Sequence, residues 1–176
     1  MRGMKDVMLT LIGPDSTGIV ARLAALVEGH GGNWLESRMI RMGGYFSGIL
    51  RISLPADSLS SFGARVSSFM KESGFQHAIQ PAELEPESSS GNLASLSLSG
   101  QDHPGIVHAI FTAFQNSGVN VEELNTGLQP APWSGTPVFE ARARLKVPEG
   151  ASAAQIQADL ESLAADLMVE VNFQEE

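Results

Sequence analysis

Two stretches of the sequence share the pattern Gly-x-Asp-x-x-Gly-Ile-Val: GPDSTGIV at 13–20 and GQDHPGIV at 100–107. A glycine at the start of a helix leaves backbone N–H groups uncovered, and such groups bind a carboxylate or another small anion. The candidate contact residues are Gly13, Asp15, Ser16, Thr17, Gly18 and Ile19 in the first stretch and Gly100, Asp102, His103, Gly105 and Ile106 in the second. The chemistry that these residues predict is the binding of a small anionic group.

The same motif also has a purely structural interpretation, a capped turn in which glycine serves packing. Gly13 and Gly100 would allow a sharp exit from a strand. Asp15 and Asp102 would accept hydrogen bonds from helix-start amides, as N-caps or close to them, and would complement the helix dipole. For one copy of the motif alone this structural interpretation is favoured. The choice between it and anion binding therefore depends on the elements around the motif.

Apolar residues alternate before each motif and recur at helical spacing after it, which predicts a strand followed by a helix. The predicted elements of the first copy are a strand around Leu9 and Leu11, a helix that stops at 29–32, strands at 33–42 and 45–54, a helix at 58–73 and a strand at 75–80. The second copy repeats this order. The predicted fold class is α+β: two ferredoxin-like βαββαβ units, each an antiparallel four-stranded sheet with helices on one face.

The two copies align along their whole length. A shift of 87 residues superposes the motifs and places Asn33 on Asn120. The shift grows to 93 at Phe46 and Phe139, because the second copy has a longer loop around 129–137. The stretch PAELEPESSSGN is rich in Pro, Glu and Ser and has little to bury, so it predicts a linker. The predicted domains are therefore 1–80 and 93–176, joined by a linker at 81–92.

Composition and charge exclude several classes of protein. The 176 residues contain no Cys, which removes disulfides and Cys nucleophiles, and no stretch approaches the length of a membrane span. The net charge is −9, with +2 on residues 1–80 (8 Lys/Arg, 6 Asp/Glu) and −11 on residues 81–176 (3 against 14). Without a basic surface, direct nucleic-acid binding is not expected. A cytoplasmic protein without cofactors is predicted, whose acidic half is a solvated face or an interaction surface.

Other candidate residues have ordinary alternatives. The histidines at 30, 77, 103 and 108 lack the spacing of metal ligands, so surface or loop roles are expected and no metal site is predicted. Arg142, Arg144 and Lys146 alternate along a strand and would bind an anion, pair with an acidic partner or form a solvated face. Trp133 is either an interface anchor or a side chain that folds back onto its own domain. No nucleophile elbow, Walker motif or dinucleotide fingerprint is present, so an enzyme is not expected.

The repeated motif, the twofold βαββαβ order and the Asn that begins the second strand resemble ACT domains, which are small-molecule-sensing modules. The stretch DSTGIVARLAALVEGHGGNWLESRM, together with two copies of the domain, resembles the glycine cleavage system transcriptional repressor family. This resemblance implies an amino-acid effector that lies between two domain copies, against the strand–helix turn and near the Asn of the second strand.

Topology constrains where such an effector would bind. The turn follows the first strand, whereas Asn33 begins the second strand at the opposite end, so one copy cannot easily bring both to one ligand. Two crossed half-sites are expected, Gly13–Gly18 with Asn120 and Gly100–Gly105 with Asn33. Backbone N–H groups would hold the carboxylate, and Asp15 or Asp102, or an Asn oxygen, would accept from the ammonium. The copies differ at Ser16–Thr17 and His103–Pro104, so they would bind unequally, with the second turn less altered from the common family form.

The expected function is that of an amino-acid-sensing regulator. By resemblance it would be a transcriptional co-regulator in glycine or one-carbon metabolism, with a glycine-like or serine-like effector and a DNA-binding regulator protein as partner. The alternative is a ligand-free protein-interaction module. Exposed sheet faces and edge strands favour a homodimer.

Overall fold

A computed structural model describes residues 3–82, 91–130 and 135–175. The chain divides into two compact units between Glu85 and Pro86, called here the first and the second domain. Most of the predicted linker lies at 83–90, and Trp133 lies at 131–134, so both predictions fall outside the described residues.

The first domain is an antiparallel four-stranded sheet with two helices. Its elements are β1 (Met4–Pro14), α1 (Ile19–Gly29), β2 (Asn33–Met42), β3 (Tyr45–Pro55), a 3-10 turn (Ala56–Ser58), α2 (Leu59–Glu72) and β4 (Gln76–Pro81). The strands lie in the order β2-β3-β1-β4. This arrangement is the predicted ferredoxin-like βαββαβ fold.

The second domain repeats the same order of elements. They are β5 (Gly91–Gln101), α3 (Ile106–Asn116), β6 (Asn120–Pro130), β7 (Pro137–Pro148), α4 (Ala153–Leu167) and β8 (Val169–Glu175). Its strands lie in the order β6-β7-β5-β8, the counterpart of the first sheet. The prediction that the chain contains the same fold twice is confirmed.

The alternating strands and amphipathic helices build one aliphatic core in each domain. On β1, Val7, Leu9 and Leu11 are buried, and each helix turns its apolar side to the sheet. The cores centre on fully buried aromatic rings, Phe62 in the first domain and Phe114 in the second. Truncating a ring of this kind to Ala costs about 3–5 kcal/mol of folding free energy. No helix in the described residues combines the length and apolar character that a membrane span needs.

Candidate functional site

Both motifs form the predicted turn between the first strand and the first helix of their domain. The residue before each helix is glycine in the left-handed region, Gly18 with φ 85° and Gly105 with φ 99°. A side chain at these positions would strain the backbone, although the space around each Cα is open. Within residues 3–82, 91–130 and 135–175, no side-chain cap hydrogen bond forms at the start of either helix. The amides at the start of α1 and α3 therefore have no side-chain cap.

The proposed capping role of Asp15 and Asp102 is wrong. Because glycine occupies the N-cap, each Asp lies three residues further back. The Asp15 amide donates to the Gly44 carbonyl at 3.1 Å, and the Asp102 amide donates to the Pro137 carbonyl at 3.1 Å. The backbone amide of each Asp therefore connects its turn to the start of the neighbouring strand, at Gly44 just before β3 and at Pro137 in β7, rather than to the helix that follows.

The side chain of Asp15 is neutralised by a cation within its own domain. Arg41 Nε lies 2.7 Å from Asp15 Oδ2. The position equivalent to Arg41 in the second domain is Leu128, since Arg41 pairs with Phe46 as Leu128 pairs with Phe139. Leu128 cannot make this ion pair. The two turns thus differ in the charge that surrounds the Asp carboxylate.

Gly13 and Gly100 are required for a different reason from the one expected. Neither has a positive φ, and both lie inside their strands. A Cβ on Gly13 would lie 2.4 Å from the Phe75 ring, and a Cβ on Gly100 would lie 2.6 Å from Val169 Cγ1. These glycines allow the start of the fourth strand to approach the first strand closely, rather than allowing a sharp turn.

His103 connects the second turn to the end of α4. Its Nε2 lies 3.0 Å from the Leu167 carbonyl oxygen and its Nδ1 lies 3.1 Å from the Pro104 carbonyl oxygen. Only the doubly protonated ring can donate to both. These two carbonyls, together with the charge of Asp102, raise the pKa of His103 above its ordinary value. Ser16 occupies this position in the first turn and is exposed.

A depression of about 420 Å³ lies beside the second turn. It is lined by Gly100 and Gln101 from the motif, by Pro137 and Val138 at the start of β7, and by Met168, among others. Met168 follows α4 in the left-handed region, with φ 55°. Space for a small ligand is therefore present next to this motif.

The remaining motif residues separate into two groups. Ser16 and Thr17 are exposed, as are Asp15 and Asp102, so their side chains are accessible. Ile19 and Ile106 are 5% and 3% exposed and belong to the two cores. The isoleucines can therefore offer a ligand only their backbone amides.

Asn33 and Asn120 lie far from the turns of their own domains. Asn33 on β2 pairs with Ser53 on β3, and Ser53 pairs in turn with Asp6 on β1. The turn begins at Gly13, seven positions further along β1. Those seven positions along β1 correspond to about 23 Å at the usual rise of a strand. In the second domain Asn120 is on the same row as Leu93, seven positions before Gly100. Neither domain alone brings its Asn to its turn.

Three features of the site were missed by the sequence analysis. They are the Arg41–Asp15 ion pair, the contact of His103 with Leu167 and the position of Met168. Arg41 is 26 residues from Asp15, and Leu167 is 64 residues from His103. The alternation of β2 and the position of the hairpin could have placed Arg41 near the turn, but no sequence signal connects α4 with His103.

Comparison with known proteins identifies the class of the fold. Residues 5–80 match the family model of the ACT domain. The first domain therefore matches the ACT family, and the second has the same order of elements and strands. The chain is a tandem pair of ACT-like domains.

Solved structures match the chain over its full length. A protein of unknown function from Galdieria sulphuraria is similar at 25% identity and a TM-score of 0.88, with 99% of each chain covered. A protein named as a putative glycine cleavage system transcriptional repressor is similar at 17% identity and a TM-score of 0.72, with 98% of each chain covered. At 17% identity, the similarity to this second protein is one of fold. No curated protein matched the sequence.

Proposed function

We propose that this protein is an amino-acid-sensing regulator, and that it acts as a transcriptional co-regulator in glycine or one-carbon metabolism through a protein partner. The observation that carries the proposal is the pair of strand–helix turns, each with a left-handed glycine and with helix-start amides that no side chain in the described part of the chain caps. Such amides favour a carboxylate, because they add the partial positive charge of a helix N-terminus to free hydrogen-bond donors.

The second turn is the better candidate for binding. In the first turn the Asp15 carboxylate is held by Arg41 at 2.7 Å. In the second turn Leu128 takes the place of that arginine, and the ring nitrogens of His103 contact the Pro104 and Leu167 carbonyls, so the Asp102 carboxylate can accept from a ligand ammonium. The depression beside Gly100 provides the space. A ligand with both a carboxylate and an ammonium, such as glycine or serine, suits this combination.

Asn33 is the proposed second contact for that ligand. Each turn lies about 23 Å along the sheet from the Asn of its own domain, by the rise of a strand, so a ligand contacted by both types of residue needs two copies of the domain. Whether the second copy comes from the same chain or from another chain does not change the requirement. The pairing of Gly100–Gly105 with Asn33 is the one proposed.

The glycine context and the regulatory partner rest on the similarity of folds. The second structural relative carries the name of a glycine cleavage system repressor. A net charge of −9 makes direct contact with DNA unfavourable, so repression would require a DNA-binding partner protein. A non-enzymatic role in the cytoplasm and a homodimer belong to the same proposal.

A thermal unfolding series with the twenty amino acids tests ligand binding. A ligand at 100 times its Kd adds about 2.7 kcal/mol to the free energy of unfolding, which raises the melting temperature by several degrees. Glycine or serine is expected to give the largest rise. If none of the twenty stabilises the protein, the alternative of a ligand-free interaction module replaces this proposal.

Two matched variants then locate the site. Asn33→Ala is expected to weaken binding by about tenfold, the effect of losing one hydrogen bond to a charged group. Asn120→Ala is the control, since Asn120 already donates to Glu122 at 2.9 Å. An equal loss of ligand binding in both variants would mean that two half-sites act together. A loss of binding only in Asn120→Ala would contradict the choice of the second turn.

A further inference from the structure

The second domain concentrates its positive charge on one face of one strand. Residues 81–176 contain three Lys or Arg against 14 Asp or Glu, and all three cations, Arg142, Arg144 and Lys146, lie on β7. The apolar residues that alternate with them are buried in the core. Because successive side chains of a strand point to opposite faces, the three cations lie on the sheet face away from the helices.

The first domain neutralises the equivalent arginine within its sheet. Arg51 on β3 faces Glu36 on β2, and its Nε lies 3.3 Å from Glu36 Oε1. In the second domain the same register places Glu123 opposite Arg144. There Glu123 Oε1 instead accepts from Asn125 Nδ2 at 2.9 Å. Within the described residues, no ion pair involves Arg144, so its guanidinium is available to an external group.

On the β5 side, the neighbours of the two arginines across the sheet are neutral donors and acceptors, whereas on the β6 side Glu123 faces Arg144 and also lines the depression described next. Arg142 faces Ser97, which in turn faces Asn172, and Arg144 faces Ser95, which faces Gln174. Together these side chains line a depression of about 320 Å³ on the open face of the sheet. The acidic residues of the next row, Glu140 and Glu170, flank Ser99 and close one end of this polar surface.

We propose that this depression is a second ligand site, separate from the strand–helix turns, and that it binds a small dianion, either a dicarboxylate or a phosphate. Each guanidinium can hold a carboxylate or a phosphate through two parallel hydrogen bonds. Arg142 and Arg144 are two residues apart on one strand, so their Cα atoms are separated by about 6.6 Å. That spacing suits one oxyanion group on each arginine, and the serine and amide side chains would bind further oxygens.

The negative charge of the rest of the second domain strengthens the preference of this depression for a dianion. The domain is strongly acidic elsewhere, so a dianion is repelled from most of its surface and attracted to one place. Unlike the turn, this surface presents guanidinium groups and no helix start. The two sites therefore select different ligands, a single amino acid at the turn and a dianion on the sheet.

Amide NMR of the full chain, at low ionic strength, tests the proposal with two probes. Succinate represents the dicarboxylates and inorganic phosphate represents the phosphates. At least one probe at millimolar concentration should shift the amides around Ser95, Ser97, Arg142 and Arg144, and leave those of the first domain unchanged. A response to succinate alone or to phosphate alone identifies the source of the oxyanion.

Arg142→Gln/Arg144→Gln should weaken binding of the active probe by at least about tenfold, since each charged hydrogen-bonding group contributes that much or more. The matched control is Arg38→Gln/Arg65→Gln, which removes two exposed charges from the first domain and should leave binding unchanged. Glu123→Gln should tighten binding, because it removes the nearest negative charge. No shift with either probe, or the same loss of binding in the control, would overturn the proposal.

Discussion

The two strand–helix turns share five identical residues of eight, yet their surroundings differ in chemistry. The first turn is held by an ion pair between Asp15 and Arg41. The second is held by His103, which contacts the carbonyl of Leu167 at the end of α4. Duplication has kept the backbone geometry, including a left-handed glycine at each helix start, whereas the side chains have diverged. The difference indicates that, among the described residues, the Asp of the first turn forms a direct ion pair with an arginine, whereas the charged ring beside Asp102 is directed at two backbone carbonyls.

The largest effect that separates the turns is expected from the glycines at the ends of the motif strands, Gly13 and Gly100. Gly100→Ala places a Cβ 2.8 Å from the Val169 Cα, which is backbone, whereas Gly13→Ala meets the Phe75 ring. Overpacking costs about 1–3 kcal/mol of folding free energy, and Gly100→Ala should reach the upper end because backbone yields less than a ring. Urea unfolding measures the loss of folding free energy in both variants. Gly127→Ala on β6, with nothing within 4 Å of the new Cβ, is the control.

A smaller effect is expected from His103, and it depends on pH. Its pKa is raised in the folded state by the Leu167 and Pro104 carbonyls and by Asp102. The stability that His103 contributes is therefore complete below its ordinary pKa, and it is lost as the pH rises through the raised value. His103→Ser, which copies Ser16 of the first turn, should destabilise the protein in mild acid and have less effect at alkaline pH.

Urea unfolding of the wild type and of His103→Ser, from mild acid to alkaline pH, measures the difference in their free energies of unfolding. His108→Gln, which changes an exposed histidine, is the control. An equal effect of His103→Ser at all pH values would show that the ring packs against α4 without donating hydrogen bonds as a cation.

The smallest effect is expected from the ion pair of the first turn. Arg41 and Asp15 have side chains that are 71% and 36% exposed, so their interaction is worth about 0.2–1 kcal/mol. A double-mutant cycle with Arg41→Gln and Asp15→Asn measures it. A coupling energy near zero would remove the electrostatic reason for preferring the second turn.

The sequence allowed the fold to be predicted because its patterns are local. Alternation around Leu9 and Leu96 defines the first strand of each domain, and the spacing of Leu23 and Val27 defines the helix that follows. The Gly43–Gly44 pair marks the hairpin between β2 and β3, whose bounds agree with the structure within one residue.

The candidate site was less predictable because its contacts depend on register and on distant residues. The capping role assigned to Asp15 follows the usual preference for Asp at an N-cap, but glycine at position 18 took that place. The need for Gly13 arises from Phe75, 62 residues away, and could not be separated from a turn signal. Among the described residues Arg144 has no ion pair because Glu123 accepts from Asn125 instead, and the sequence does not show which of the two Glu123 contacts.

The proposed binding of an amino acid to the helix-start amides of the second turn can be tested directly. The most direct measurement is an amide NMR titration of the full chain with glycine and with serine. We expect saturable shifts at residues 100–107 and near Asn33, with much smaller shifts at residues 13–20. Saturable shifts confined to the first turn, or no shifts at either turn with any amino acid, would contradict the proposed binding.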